Sequence, residues 1–192
     1  MVPGEHPHRK RCKRYDIEGH AHYLTFSCWR QLPLLSRDRS RLWFVESLRR
    51  ARAKHGFDLW AYVIMPEHVH LVILPPPGGR ISAILKSIKQ PVTQRAIRWV
   101  RRNAPHFLNL MRDRQPSGAC RHRFWLPGGG YDRNIWTVSE LHEKIAYVHA
   151  NPVRRGLVDD PADWPWSSWP AWETGIDEPL PIDRESLPPI ER

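Results

Sequence analysis

The sequence predicts an α+β sandwich, a mainly antiparallel sheet with helices on one face. Helical and strand-like apolar patterns alternate along the chain, which argues for a mixed fold. Near the middle, two apolar runs are separated only by Pro66-Glu67, most simply a β-hairpin with a tight turn. Hydrophobic residues make up 41% of the 192, enough to build a real core.

The elements follow in order. His22 to Trp29 is rich in aromatic and β-branched residues and reads as a strand. From about Arg39 to His55, Leu42, Val45, Leu48 and Ala51 recur every three residues, and Gly56 stands where a helix stops. The hairpin pairs Trp60–Met65 with His68–Leu74, and Pro75-Pro76-Pro77-Gly78-Gly79 ends its second strand. A second helix runs from Ile81 to Arg102, with Pro91 expected to kink or divide it. Residues 103–131 read as a loop rich in bases and glycine, closed by a short strand at Asn134–Trp136. The third helix opens on a Thr137-x-x-Glu140 capping box, and Asn151-Pro152 marks its end. Trp164, Trp166, Trp169 and Trp172 then crowd a Pro-rich stretch expected to clasp the body.

Charge divides the chain. Lys plus Arg is 30 against 20 for Asp plus Glu, a formal +10. Residues 173–192 hold six acids (Glu173, Asp177, Glu178, Asp183, Glu185, Glu191) against two bases (Arg184, Arg192), so the remaining body carries +14. Such a body attracts polyanions, nucleic acid first among them. The division expected is a basic N-terminal arm over 1–18, a domain over 19–169 and a Pro-rich acidic tail over 170–192. One hypothesis for the tail is that it folds over the basic groove and competes with DNA. Three cysteines without zinc spacing fit a reducing cytoplasm, the expected location. No apolar run approaches the ~20 residues of a membrane span, and the basic N-terminus lacks the apolar stretch of a signal peptide.

Met65-Pro66-Glu67-His68-Val69-His70 carries the sharpest chemical signal. On a strand, residues i and i+2 share a face, so His68 and His70 can converge on one divalent cation while Val69 enters the opposite layer. His-x-His also arises by chance, but here it interrupts Val-His-Leu-Val-Ile-Leu, where an imidazole is costly unless it binds something. On the third helix, Leu141, Ile145 and Val148 form one stripe, and Tyr147 and Asn151 lie together at its edge. A phenol there reaches a site shared with the sheet, with the Asn151 amide a candidate third ligand. From these residues alone, an interfacial tyrosine beside an Asn helix stop is the favoured reading.

These motifs together resemble the REP-associated tyrosine transposases, within the single-tyrosine HUH transposases (U is a bulky hydrophobic residue). The hexapeptide at 65–70 is followed by Tyr147-Val148-His149-Ala150-Asn151-Pro152-Val153-Arg154-Arg155-Gly156-Leu157-Val158. Arg123-Phe124-Trp125, Tyr131-Asp132-Arg133 and Asp163-Trp164-Pro165-Trp166-Ser167-Ser168 also match, in the same order, over about 19–169. The resemblance implies a ferredoxin-like antiparallel sheet with the histidine pair on a central strand. It implies that His68, His70 and Asn151 hold Mg2+ or Mn2+, and that Tyr147 attacks DNA to form a 5′-phosphotyrosine link. Related transposases carry Gln where Asn151 stands, so the shorter amide must come closer to the metal. The implied partner is single-stranded or hairpin DNA built on palindromic repeats, bound by a monomer or a homodimer.

Phosphate contacts are expected from Lys86, Lys89, Arg95, Arg98, Arg133, Arg154 and Arg155. Phe124 and Trp125 are expected either to stack on bases or to join the core. Three rival functions compete: a relaxase or replication-initiator nickase using Tyr15, Tyr23 or Tyr131; a catalytically silent DNA-hairpin binder; and a metal phosphoesterase that activates water.

Overall fold

A computed structural model describes residues 15–189; the basic arm, apart from its last four residues, lies outside the described residues. The elements are β1 (His22–Ser27), α1 (Asp38–His55), β2 (Asp58–Ile64), β3 (His68–Leu74), α2 (Ile81–Asn103), β4 (Arg112–Arg114), β5 (Cys120–His122), β6 (Tyr131–Asn134), α3 (Val138–Arg154) and α4 (Trp169–Glu173). The main sheet has the order β2-β3-β1-β6, with every neighbour antiparallel. This is the expected α+β, ferredoxin-like arrangement, with the β3 histidines on a central strand.

The helices do not share one face. Val69, Leu71 and Ile73 of β3 join Leu24 and Phe26 of β1 in a core covered by α1 and α2. Val72, Tyr23, Ala61 and Val63 face the other way, onto Leu141, Ile145 and Val148 of α3. Central strands covered on both sides need apolar residues at nearly every position, and β2 and β3 have them. The exceptions on the α3 side of β3 are His68 and His70.

Two prolines behave differently from expectation. α2 runs unbroken through Pro91. Proline offers no N–H to the carbonyl four residues back, here that of Ser87. The Ser47 hydroxyl of α1 fills the gap, donating to the Ile88 carbonyl at 2.7 Å and reaching that of Ser87 at 3.3 Å. α3 likewise continues through Pro152 to Arg154, because the N–H groups of Arg155 and Leu157 close on the carbonyls of Asn151 and Pro152 at 3.1 and 3.0 Å. Asn151 is therefore still helical, one turn beyond Tyr147. The 103–131 segment holds the small β4–β5 hairpin, and the closing strand is β6 at Tyr131–Asn134, not Asn134–Trp136.

The stretch read as a tail is part of the body. The outer edge of β2 would otherwise offer unpaired backbone groups. Tyr62 N–H donates to Ser168 Oγ at 2.9 Å, and Ile64 N–H to the Trp166 carbonyl at 2.8 Å. Asp183 closes the same edge, taking the Leu59 N–H on Oδ2 at 2.7 Å and donating its own N–H to the Leu59 carbonyl at 2.9 Å. Leu180 and Ile182 are buried in the α1/α2 core, and Asp183 pairs with Arg52. The tryptophan clasp exists: Trp164 and Trp172 donate ring N–H groups to the carbonyls of Ile64 and Trp60.

Ser47→Ala should cost about 1–2 kcal/mol in urea unfolding, the penalty of carbonyls left without a donor. Leu180→Ala should cost about 2–4 kcal/mol as a core truncation; a near-zero value would show that the C-terminal stretch hangs free.

Candidate functional site

The site lies where β3, β1 and α3 meet. Period-two alternation sends His68 and His70 to the α3 side, and antiparallel register sets Ser27 opposite His68 and Thr25 opposite His70. The two Nε2 atoms face each other at 2.9 Å. Each imidazole is fixed through its other nitrogen. His68 Nδ1 lies 3.0 Å from Glu67 Oε1, and Arg155 holds the same carboxylate oxygen at 2.8 Å. His70 Nδ1 meets the Tyr23 phenol at 2.7 Å and the Thr25 hydroxyl at 2.8 Å.

These contacts decide the protons. A carboxylate only accepts, so His68 donates from Nδ1 and leaves Nε2 as a lone pair. His70 then donates from Nε2 to His68, and its Nδ1 accepts from the hydroxyls. A hydroxyl also accepts, so His70 keeps its anchors in the other tautomer, with both Nε2 lone pairs free.

Burial drives both imidazoles toward the neutral form. His70, 5% exposed, is pushed down from 6.5 to about 3 by desolvation first and by His68 second. His68 is lowered mainly by desolvation, against the opposing pull of Glu67. The Asn151 amide, buried on α3, lies within hydrogen-bonding reach of both rings. Two imidazole nitrogens at this separation can each reach one cation at ~2.1 Å, with an amide oxygen beside them. The anchored second nitrogens are what a metal-binding histidine needs. Among the described residues no cluster of three His, Cys, Asp or Glu side chains stands at ligating spacing.

Tyr147 is 38% exposed, with its ring 5.8 Å from that of His70 and nearly perpendicular to it. It lines a shallow cavity of about 370 Å3 with Tyr23, Thr25, His70, Tyr131 and Lys144. The Arg154 guanidinium lies 5.0 Å from the Tyr147 ring centre. Lys144, Tyr147 and Asn151 fall on one stripe of α3, three and four residues apart. Of the other tyrosines, Tyr23 is buried, and desolvation lifts its phenol to about 12, which keeps its proton on. Tyr15 precedes Asp16, whose carboxylate takes the Ile81 N–H at the start of α2, at the opposite end of β3 from His68. Tyr131 shares the Tyr147 cavity.

The seven basic residues expected at phosphates separate into two groups. Arg133, Arg154 and Arg155 lie around the site, where Arg133 pairs with Glu140 and Arg155 with Glu67. Lys86, Lys89, Arg95 and Arg98 lie on α2, across the sheet, and Arg95 pairs with Glu46. Phe124 and Trp125 belong to the α1/α2 core, and the Trp125 ring N–H donates to the Lys89 carbonyl, so neither presents a ring for stacking. None of the described residues of 173–189 lines the Tyr147 cavity.

The sequence did not reveal the supporting roles of four residues: Tyr23, Thr25, Glu67 and Lys144. Tyr23 and Thr25 share a strand face by alternation, but only the β1–β3 register shows that this is the histidine face. Glu67 stands inside the motif beside His68, and Lys144 one turn before Tyr147, and those spacings were the available signals.

An antiparallel ferredoxin-like sheet carrying a paired-histidine site under a helical tyrosine is the architecture of a single-tyrosine transposase domain. The model of the family described as "Transposase IS200 like" matches residues 19–114, half of the chain, and the chain belongs to that family. The match ends before α3. A REP-associated tyrosine transposase of Escherichia coli K12 is 25% identical over 159 residues, 82% of this chain and 81% of that protein. A Haemophilus influenzae protein assigned as a REP-associated tyrosine transposase is 27% identical over 116 residues, and the chain spans only 60% of its length. A solved structure of a REP-associated tyrosine transposase bound to a REP hairpin superposes with a TM-score of 0.64 at 21% identity, over 82% of this chain and 81% of that one, and shares the fold.

His149 gives a check on burial that is independent of the site. Its ring, beside Ser168 Oγ at 2.9 Å, is lowered from 6.5 to about 4 by desolvation. The unfolded chain therefore takes up protons at this position below pH 6.5, and the folded chain does not until about 4. Stability should hold above pH 6.5 and fall by roughly 2–3 kcal/mol for this group as pH drops to 4. Urea midpoints at pH 7.5, 6 and 4.5 check this, and His149→Gln should flatten the decline.

Proposed function

We propose that this chain nicks and rejoins single-stranded or hairpin DNA, with Tyr147 as nucleophile and His68, His70 and Asn151 holding a divalent cation. The observation that carries the reading is the exposed Tyr147 phenol beside a buried His70 and a part-buried His68, two imidazoles that desolvation keeps neutral and whose Nε2 atoms meet at 2.9 Å. Family membership supports the class of reaction, and the names of the relatives point to palindromic REP DNA as the substrate.

Tyr147 Oη attacks the phosphorus of a phosphodiester. The Oη–P bond forms as the P–O3′ bond breaks, giving a 5′-phosphotyrosine and a 3′ oxygen that takes up the proton the phenol gives off. The phosphoester energy is retained, so the 3′-hydroxyl later attacks the phosphotyrosine and releases Tyr147 without a nucleotide cofactor. Mg2+ or Mn2+ bound by the imidazoles and the amide supplies charge stabilisation and orientation for the scissile phosphate. The protein's own share is positional. Tyr23, Thr25 and Glu67 hold the imidazoles in orientation, and desolvation under α3 keeps them neutral. Arg154, beside the Tyr147 ring, places positive charge where the phosphate arrives.

Labelled hairpin oligonucleotides with single-stranded flanks, incubated with the protein and Mn2+, should give a protein-linked DNA band on a denaturing gel. EDTA should remove it. Tyr147→Phe should lower it by at least ~10³-fold, and His70→Ala by a similar factor. Cleavage that persists in Tyr147→Phe would mean activated water or another tyrosine does the work. Tight binding with no linkage across many hairpins would identify a binding protein.

A further inference from the structure

Tyr131 is 46% exposed and lines the cavity that holds Tyr147. A large ring left half in water beside a reaction site calls for a physical reason, and its surroundings show it is held there. Gly130, at φ +77°, delivers the chain into β6 so close to β1 that a Cβ would strike the Thr25 carbonyl oxygen. Alternation then sends Tyr131 and Arg133 to the α3 face, while Asp132 turns to the opposite face and binds His22 at 2.7 Å. The Arg133 guanidinium reaches the Tyr131 phenol and also Glu140, at 2.8 Å. Glu140 is itself fixed: its N–H caps onto Thr137 Oγ1 at 3.1 Å, and its carboxylate takes the Trp136 N–H at 3.1 Å. The Tyr131 ring also meets the buried Tyr23 ring in a T-shaped contact, with centroids 6.1 Å apart.

We propose that Tyr131 is a preset stacking platform for one unpaired base next to the scissile phosphate, a proposal that rests on the DNA-nicking reading above. An aromatic face held without rotamer freedom binds a flat partner at little entropic cost. Single-stranded nucleic acid offers such a partner at every position, because every base has a π-face. Tyr131 and Tyr147 each lie 6.1 Å from the Tyr23 ring and share one cavity with it, so a phosphate at Tyr147 leaves a neighbouring base in the cavity that Tyr131 lines. Lys144, on the same cavity wall, supplies a cation beside that nucleotide. Tyr131 acts here by gripping substrate through its ring, and its hydroxyl serves only to fix the ring.

The test is an abasic-site scan of binding, which needs no turnover. Tyr147→Phe protein with Mn2+ is titrated with a hairpin oligonucleotide carrying single-stranded flanks, intact or lacking one flank base at a time. One flank position should lose about 5-fold or more in affinity when its base is removed. That position-specific loss should vanish when Tyr131→Ala is added, and should persist with Tyr131→Phe, which keeps the ring. Circular dichroism melts of each variant confirm that the fold is retained. The stacking role is overturned if the scan is the same with Tyr131→Ala as without it, or if Tyr131→Phe erases the loss as fully as Tyr131→Ala does. If no hairpin binds to the protein that retains Tyr131, the DNA reading itself has failed, and this proposal with it.

Discussion

Two imidazoles stand on the α3 side of β3 where every other residue of the strand is apolar, and their desolvation constrains what surrounds them. An unsatisfied buried polar group costs roughly 1–3 kcal/mol, so each ring needs partners on both nitrogens. The neighbourhood supplies them: Glu67 for one ring, Tyr23 and Thr25 for the other, and at the paired Nε2 atoms each other, with the Asn151 amide close to both rings. Satisfying the outer nitrogens fixes ring orientation and leaves the inner ones aimed at a common point. The resulting site is poor in negative charge, which suits a bound cation that must keep its own charge for a phosphate.

That constraint accounts for the placement of α3. The helix must cover β2 and β3 with Leu141, Ile145 and Val148 while bringing an amide down to the histidines and a phenol out to solvent. A single helical stripe does both, since Tyr147 and Asn151 stand one turn apart at the edge of the buried face. Continuation of the helix through Pro152 keeps Asn151 in helical register. The α1/α2 layer, the tryptophan clasp and the C-terminal stretch act at a distance: they close the opposite face and the β2 edge, and so hold β3 rigid in the centre.

Local signals were legible and non-local ones were not. The hairpin about Pro66-Glu67, the Gly56 stop and the Thr137–Glu140 cap are each set by neighbours in sequence, and the structure has them. His68 and His70 were legible because period-two alternation needs no partner strand. Tyr23 and Thr25 were not, because their role depends on the β1–β3 register, across more than forty residues. Proline was misleading at 91 and 152, where tertiary and next-turn hydrogen bonds offset the lost N–H. The C-terminal stretch read as a tail because acids and prolines dominate its composition. Leu180 and Ile182, two residues apart on one face, were the signal of burial within it. The two-sided covering of the sheet was also available, in the unbroken apolar runs of β2 and β3.

The central claim is that the histidine pair and Asn151 form a cation site under Tyr147. Anomalous diffraction at the manganese edge, from crystals soaked in Mn2+, tests it most directly. The account predicts one strong peak between His68 Nε2, His70 Nε2 and the Asn151 amide, lost in His70→Ala crystals. A map with no peak there at saturating Mn2+, or with the peak elsewhere on the protein, would contradict it.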